Sequence, residues 1–432
     1  MTAGFPAESS PGRYNRRMTT NTVCLVVDRL HPGYLGPYGN SWIHTPAFDR
    51  LAAESCLFQQ YFVDSPLLGS LYRSFWHGLH ALCPLAPDTQ RQPLAERLGA
   101  RGIPATLMTD EPEVAQLGHG LGFSEVVTLD APAEGLGAVD GAAPLAETVE
   151  ETHLAGCFAR LIDWLDTARG PFLLWCHLKG LGGPWDAPLE LRRAYAGEDD
   201  PPPPESAEVP DRLLPPDYDP DELSGITYAY SGQVSLLDMC LGALCQYLRE
   251  GPRDRDTLLV VASARGFPLG EHLRVGPCDH ALYGELTWAP LLVRLPGAVA
   301  GAARSQAMVE PADLWATLFD WHGVVDPTGS PTGRSLLPLV RGEADTLRDR
   351  LAVAGWDGER ALMTPAWSLR LAGAVELFAW PDDLWQVNNV ANRCPDVAQA
   401  MGEILSQYEQ ALQSSQDPYT AALEAVLREG VE

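Results

Sequence analysis

Positively charged side chains are scarce in this chain of 432 residues. Lys and Arg together number 30, against 57 Asp and Glu, so the formal net charge at pH 7 is -27. Such a chain repels polyanions at long range, and we therefore expect no nucleic-acid partner. Hydrophobic residues make up 46% of the sequence, which is enough to bury a large core.

Other features are also missing. No run approaches the ~18 consecutive apolar residues of a membrane span, so no membrane partner is expected. The first twenty residues lack the apolar stretch of a secretory signal, and they leave Met1 and Met18 as alternative starts. The nine cysteines show no CxxC spacing, and several lie inside apolar runs, as packed free thiols do. These absences predict a reducing, cytoplasmic location.

Short apolar runs typical of buried strands alternate with helical patterns along most of the chain. The runs cover 23–27, 103–108, 172–176, 257–262 and 291–294, and the helical patterns cover 45–54, 158–167 and 230–249. The alternation predicts an α/β fold with a mostly parallel sheet between two layers of helices. Thr45 is expected to cap the helix that Pro46 begins.

The patterns divide the chain into two predicted parts. Residues 20–345 form the α/β domain, within which the acidic, proline-rich segment 197–220 is expected to be an extended, partly mobile loop. Residues 346–432 form a small C-terminal subdomain. Its strand-like runs at 361–363, 368–372 and 375–380 precede a helical pattern at 397–412, which predicts a short antiparallel sheet with a packed helix.

Several collinear stretches resemble the sulfatase family of the alkaline-phosphatase-like superfamily. Residues 28–39, DRLHPGYLGPYG, are similar to the family's opening motif, and residues 65–78 are similar to its catalytic signature. Later matches lie at 313–318, 333–339 and 377–391. Because the matches occur in the family's order, chance agreement is improbable. The resemblance implies an alkaline-phosphatase-like fold.

The catalytic position of this resemblance is occupied by a glycine. The family places there a cysteine that is oxidised to formylglycine, four residues before an arginine; here the two positions are Gly69 and Arg73. Glycine has no side chain to oxidise, so no catalytic residue is predicted. Arg73 is a surviving family position that packing also explains. Ser70 is one residue late, about 100° around a helix, and is expected to face elsewhere.

The resemblance also implies one divalent cation, usually calcium, held by oxygen ligands. Asp28 matches a single ligand position, but its neighbour is Arg29, and residues 263–266 read Ser-Ala-Arg-Gly where the family has Ser-Asp-His-Gly. We therefore expect neither metal nor other cofactor. The family's sulfate-binding elements fall on the acidic stretch 109–112 and on 181–184, where Gly182 takes the place of an acid/base histidine.

Two of the altered positions have become arginines. Arg29 and Arg265 are expected to meet Asp28 and Arg73 at neighbouring strand ends. One interpretation is that an arginine neutralises Asp28 in a closed pair, and the other is that Arg29, Arg73 and Arg265 bind sulfate or phosphate. The sequence leaves both open. Asp28 in this position also suits capping of the following turn.

Two further groups contain potential metal ligands. One is the pair His77 and His80, and the other comprises Glu271, His272 and residues 278–280. Histidines three apart lie more often on a partly buried helix face, and residues 270–272 resemble a family segment in which they are structural. A structural role is therefore favoured for both groups.

The sequence therefore predicts a catalytically inactive sulfatase-like protein that binds a protein partner, such as an active sibling, or an anionic ligand. The alternative is a divergent hydrolase of sulfate or phosphate esters that uses non-standard residues. Such a hydrolase would require a bound divalent ion, so metal content separates the two hypotheses.

Overall fold

The computed structural model describes residues 20–84, 91–129, 144–277, 281–299, 301–325 and 329–430. Its strands are β1 (Asn21–Val27), β2 (Cys56–Tyr61), β3 (Ala105–Thr109), β4 (Glu125–Thr128), β5 (Leu173–Leu178), β6 (Arg212–Leu213), β7 (Thr257–Ala262), β8 (Arg274–Val275), β9 (Leu291–Arg294), β10 (Ala303–Val309), β11 (Leu351–Ala354), β12 (Arg360–Met363), β13 (Trp367–Leu371) and β14 (Val375–Ala379).

The α-helices within these ranges are α1 (Pro46–Ala53), α2 (Leu68–His77), α3 (Leu94–Gly99), α4 (Pro112–Gly118), α5 (His153–Thr167), α6 (Leu189–Arg193), α7 (Pro220–Glu250), α8 (Gly284–Thr287), α9 (Pro311–Trp321), α10 (Leu337–Val340), α11 (Pro395–Gln413) and α12 (Ala425–Glu429). None of the described helices is long and apolar enough to cross a membrane.

Eight strands form the main sheet, in the order β10-β2-β9-β7-β1-β5-β3-β4. Strand β9 is antiparallel to both of its neighbours, and the other pairs are parallel. The predicted mostly parallel sheet is thus confirmed. Every residue of β1 is buried, and alternate residues face opposite cores: Val23 and Leu25 pack with α5 and α7, while Cys24 and Val26 pack with α2 and α9. This burial on both faces explains why the strand reads as a continuous apolar run.

The second sheet is antiparallel, with strand order β11-β12-β13-β14. Helix α11 packs on it through Met401, Leu405 and Tyr408. The predicted small sheet with a packed helix is therefore confirmed, although β11 was not predicted. The boundary near residue 345 stays a prediction.

One local prediction, the capping of α1 by Thr45, needs correction, and the structure adds a detail to a second. Thr45 stands at the N-terminus of α1, but its hydroxyl accepts a hydrogen bond from the Gly36 N–H at 2.9 Å. The Asp238 carboxylate of α7 accepts the free N–H groups of Ala47 and Phe48 instead. In the segment 197–220, β6 pairs with β8, so this loop contains a short strand. Both features depend on residues that are distant in the sequence, so local sequence patterns do not indicate them.

Candidate functional site

The candidate site lies where four neighbouring strands of the main sheet end. Strands β7, β1, β5 and β3 are adjacent and parallel, so their carboxyl ends share one edge of the sheet. The loops that follow them carry Arg265, Asp28, Gly182 and Asp110, respectively. Ligand sites of open α/β sheets form at this edge.

The central contact of the site joins Asp28 and Arg265. The Arg265 Nε donates to Asp28 Oδ1 at 3.1 Å, and one terminal nitrogen donates to Oδ2. The other terminal nitrogen donates to the Pro66 carbonyl oxygen at 3.1 Å. Only 12% of the Arg265 side chain and 4% of the Asp28 side chain are exposed. All three guanidinium nitrogens are thus engaged, in the bidentate geometry that suits a carboxylate.

Both members of this pair are charged. Burial alone would raise the pKa of Asp28, but the nearby charges of Arg265 and Arg29 outweigh it, and the pKa lies below its ordinary value. Burial likewise works against the charged form of Arg265, whereas Asp28 raises its pKa. The pair is a buried ion pair that compensates its own charge.

Asp28 also caps the turn that follows β1. Its Oδ1 accepts the N–H of the next residue, Arg29, at 3.0 Å, which confirms the capping interpretation in part. The next N–H, that of Leu30, donates to the Ser263 hydroxyl at 3.2 Å, and this hydroxyl donates to the Arg265 carbonyl oxygen at 2.7 Å. The loops after β1 and β7 are therefore fixed to one another. Arg29 itself has the left-handed φ of 63°.

Glycines after β5 allow the Arg29 loop to approach closely. A Cβ atom on Gly182 would lie 2.9 Å from the Cγ of Arg29. Gly180 has a φ of 56°, and a Cβ there would lie 2.8 Å from the Asp28 carbonyl oxygen. Gly182 is the position at which the resemblance places a histidine, so the Arg29 side chain lies against the space that such a side chain would enter.

Helix α2 carries the position of the family nucleophile in its first turn. Among the described residues, a Cβ atom on Gly69 would meet no atom within 4 Å apart from its chain neighbours and its own helix backbone. The neighbouring Ser70 lines a cavity of about 290 Å³ together with Ser65, Arg360 and Glu409. Position 69 thus has open space beside it, while Ser70 faces the side chains of the C-terminal region.

The three predicted anion-binding arginines make different contacts. Arg265 and Arg29 both act on Asp28, as expected. Arg73 lies in the middle of α2, and one of its terminal nitrogens donates to the carbonyl oxygens of Cys83 and Pro84, at 3.2 and 3.4 Å. This geometry favours the closed-pair interpretation of Asp28. Binding of an anion by these arginines stays a prediction.

Sequence reasoning missed two side chains beside the pair. The Tyr72 hydroxyl hydrogen-bonds Nδ1 of His177 at 2.6 Å. His177 is fully buried, and burial lowers its pKa to about 4, although Asp28 nearby acts in the opposite direction. The sequence does indicate His177 in one respect, because this histidine directly follows the apolar run 172–176 at the end of a predicted strand. Among the described residues, Nε2 of His177 has no hydrogen-bond partner.

The two other candidate metal groups are explained by local contacts. Helix α2 ends at His77, so His80 lies beyond the helix. His80 is buried, and its Nε2 lies 3.0 Å from the Ala352 carbonyl oxygen, whereas Nδ1 of His77 lies 3.4 Å from that of Arg91. His272 lies 2.7 Å from the Glu285 carboxylate and stacks on Tyr283. Residues 278–280 of the second group lie outside the described residues.

The described site does not fit calcium. Calcium takes six to eight oxygen ligands, and both carboxylate oxygens of Asp28 here accept hydrogen bonds from Arg265. The positive charge of Arg29 adds repulsion at the same place. The arrangement can hold together the loops at the sheet edge, and it offers no ligand set for a hard cation among the described residues.

Comparison with known proteins gives concordant matches. The sulfatase family model matches residues 20–324. An N-acetylglucosamine-6-O-sulfatase of Bacteroides thetaiotaomicron is 33% identical over 121 residues, covering 28% of this chain and 21% of that protein. Human iduronate 2-sulfatase is 23% identical over 347 residues, covering 65% of this chain and 60% of that protein. The chain thus spans less than two thirds of the length of these curated relatives.

Solved structures show the same fold. The phosphonate monoester hydrolase of Agrobacterium radiobacter superposes with a TM-score of 0.74 at 19% identity, covering 94% of this chain and 98% of that one. The corresponding enzyme from Silicibacter pomeroyi gives a TM-score of 0.70 at 18% identity, covering 92% and 96%. Because the family model matches more than half of the sequence and the fold agrees with it, this chain belongs to the sulfatase family.

Proposed function

We propose that this chain is a catalytically inactive member of the sulfatase family, which uses the fold to bind a protein partner or an anionic ligand. The observation that carries the proposal is the ion pair between Arg265 and Asp28. In the family pattern, Asp28 corresponds to a ligand of the cation. Here a guanidinium, which is permanently charged, takes up both of its oxygens.

The loss of the cation matters because of its role in catalysis. A divalent ion stabilises charge that develops on the transferring group and polarises the nucleophile. Arg265 supplies positive charge, but its three nitrogens donate to Asp28 and to the Pro66 carbonyl oxygen. A substrate oxygen would have to displace one of these hydrogen bonds. The arginine therefore replaces the cation as a structural counter-charge.

The proposal also assumes that no other side chain takes the role of the nucleophile or of the acid/base histidine. Gly69 offers no side chain, and the Arg29 side chain lies against Gly182. General acid/base catalysis contributes about 10² to 10⁴ in rate, and a covalent nucleophile cannot be dispensed with in the formylglycine mechanism. Ser70 lies on the cavity beside Arg360 and Glu409, and its hydroxyl is not expected to act in place of the nucleophile.

The test is an assay of ester hydrolysis. Purified full-length protein would be incubated with aryl sulfate, aryl phosphate and aryl phosphonate monoesters over a broad pH range, with calcium, magnesium, manganese or zinc supplied. We expect no turnover above a protein-free control. Turnover that is lost in Arg73→Ala or Ser70→Ala would refute the proposal, and turnover that survives both variants would indicate a different active site.

A second variant examines whether the nucleophile alone is missing. Gly69→Cys restores the thiol at the family position, where space is open. We expect no activity from it, even after treatment with a formylglycine-generating enzyme, because Arg265 still pairs with Asp28. Activity in this variant would show that the ion pair is compatible with catalysis.

The second candidate is a divergent hydrolase of sulfate, phosphate or phosphonate esters. It is favoured by the relatives, which are named as sulfatases and phosphonate monoester hydrolases. This candidate requires turnover that stops on chelation of metal. Binding to a partner protein, for instance an active sulfatase-like sibling in the cytoplasm, would appear in a pull-down with the full-length chain as bait.

A further inference from the structure

A buried cluster of three different metal-binding side chains lies beside the site. Nε2 of His153 lies 2.8 Å from Oδ2 of Asp110 and 3.6 Å from Sγ of Cys157. One ligand atom from each residue lies within 4.8 Å of the other two. None of the three belongs to the Asp28 pair.

Two chain segments bring these side chains together. His153 is the first residue of α5, and Cys157 follows one turn later on the same helix face. Asp110 comes directly after β3, at the sheet edge that carries the candidate site. Its other oxygen, Oδ1, accepts the Lys179 N–H at 2.7 Å, which fixes the carboxylate in orientation. A metal ligand needs such support from its surroundings.

One separation matches an edge of a zinc tetrahedron, and a second is close to one. With zinc bonds of about 2.0–2.1 Å to nitrogen or oxygen and about 2.3 Å to sulfur, a tetrahedral site places nitrogen and sulfur roughly 3.6 Å apart and nitrogen and oxygen roughly 3.3 Å apart. The observed distance between Nε2 and Sγ is 3.6 Å. The contact of 2.8 Å between His153 and Asp110 would need to open by only about 0.5 Å.

The surroundings of the cluster are acidic and dry. Only 2% of the Asp110 side chain and 10% of the His153 side chain are exposed, and Cys157 is 3% exposed. The His153 main-chain N–H donates to Oδ2 of Asp186 at 2.6 Å. Among the described residues, Oδ1 of Asp186 is buried without a hydrogen-bond partner. The Asp186 carboxylate thus adds a second, partly buried acidic group next to the Asp110–His153 pair.

We propose that Asp110 Oδ2, His153 Nε2 and Cys157 Sγ bind a zinc-class divalent ion. Three protein ligands leave one tetrahedral position for water or another small ligand. The mixed oxygen, nitrogen and sulfur set suits zinc and cobalt, and it differs from the oxygen set that calcium prefers. This site lies beside the candidate site, at the same sheet edge, but it uses neither Asp28 nor Arg265 and does not depend on the proposed function.

Cobalt(II) is the appropriate probe because a thiolate ligand gives it an intense charge-transfer absorption. Full-length protein treated with EDTA and dialysed would be titrated with Co²⁺, followed by Zn²⁺. We expect one equivalent of cobalt to bind with the thiolate band, and zinc to displace it. Thermal melts of the same samples should shift upward with zinc and return after chelation.

Two serine variants form a matched pair. Cys157 and Cys240 are both buried thiols, on α5 and α7 respectively. Cys157→Ser should lose the thiolate band and the stabilisation by zinc, whereas Cys240→Ser should keep both. A wild-type protein without the band, or a band that persists in Cys157→Ser, would overturn the proposal.

A third variant keeps the test decisive if Cys157→Ser fails to fold. His153→Gln retains the helix position and a polar side chain, and its fold would be checked by circular dichroism. We expect its affinity for cobalt to fall by 10-fold or more. Unchanged cobalt affinity in a folded His153→Gln protein would remove the imidazole from the site and overturn the assignment.

Discussion

The Arg29 side chain lies against the main chain at Gly182, so that a Cβ atom at position 182 would be only 2.9 Å from its Cγ. These two residues belong to the loops after β1 and β5, which are adjacent strands. A residue larger than glycine at position 182 would clash with the Arg29 side chain in its present position. We therefore expect substitutions at these two positions to have coupled effects on stability.

Gly182→Ala should lower the free energy of unfolding by about 1–3 kcal/mol, because the added methyl group forces Arg29 to move. In an Arg29→Ala background the same substitution should cost less. Gly69→Ala is the control: its Cβ meets open space within a helix, so it should be neutral or stabilising. Urea denaturation of the wild type, the two single variants, the double variant and the Gly69→Ala control measures the coupling. Equal effects of Gly182→Ala in both backgrounds would contradict it.

Arg265→Ala should destabilise the protein by about 3–5 kcal/mol, because it leaves the buried Asp28 carboxylate without its counter-charge. The double variant Asp28→Asn/Arg265→Gln should be more stable than Arg265→Ala, since no buried charge remains unpaired. Denaturation in low-salt buffer measures both. A loss below 1 kcal/mol in Arg265→Ala would mean that the pair is not closed.

If Arg29, Arg73 and Arg265 bind an anion, sulfate or phosphate should stabilise the protein. A ligand at a hundredfold excess over its dissociation constant stabilises a protein by about 2.7 kcal/mol, and an Arg265→Ala variant should lose this gain. Melting curves in chloride, sulfate and phosphate at matched ionic strength are the measurement. Identical wild-type curves in the three salts would exclude the anion site and leave the closed pair.

Stability should depend on pH through His177. Its pKa in the folded protein is about 4, below the ordinary value of about 6.5, because burial penalises the charged ring. The buried, neutral His177 therefore contributes to the free energy of unfolding above about pH 6.5. This contribution, about 3 kcal/mol in all, is lost as pH falls through the folded pKa. His177→Gln should show a shallower loss of stability between pH 7 and pH 4. Parallel pH profiles for the two proteins would contradict this.

Part of this site was predictable because parallel strands end at a common edge. That rule predicts from the sequence alone that Asp28 and Arg265 lie together. It did not decide between a closed pair and an anion site, since the Pro66 carbonyl oxygen that helps to fix Arg265 comes from the loop before α2. The rotamer of a long side chain depends on such distant partners.

The missed residues have a similar explanation. His177 continues a buried strand, but the apolar run gives no indication of the Tyr72 hydroxyl that approaches it from α2. Asp110 and His153 are 43 positions apart, so no local motif reports their contact. Sequence periodicity identifies elements and strand ends, whereas side-chain clusters depend on how distant elements pack.

If Arg265 occupies the place of the cation, the protein should have no calcium site at Asp28. The measurement is a calorimetric titration of Ca²⁺ into three proteins: the wild type, Cys157→Ser and Asp28→Asn. Cys157→Ser removes the thiol of the proposed zinc-class site. We expect no saturable calcium binding in any of the three proteins. One equivalent of calcium bound by the wild type and by Cys157→Ser, and lost in Asp28→Asn, would contradict it.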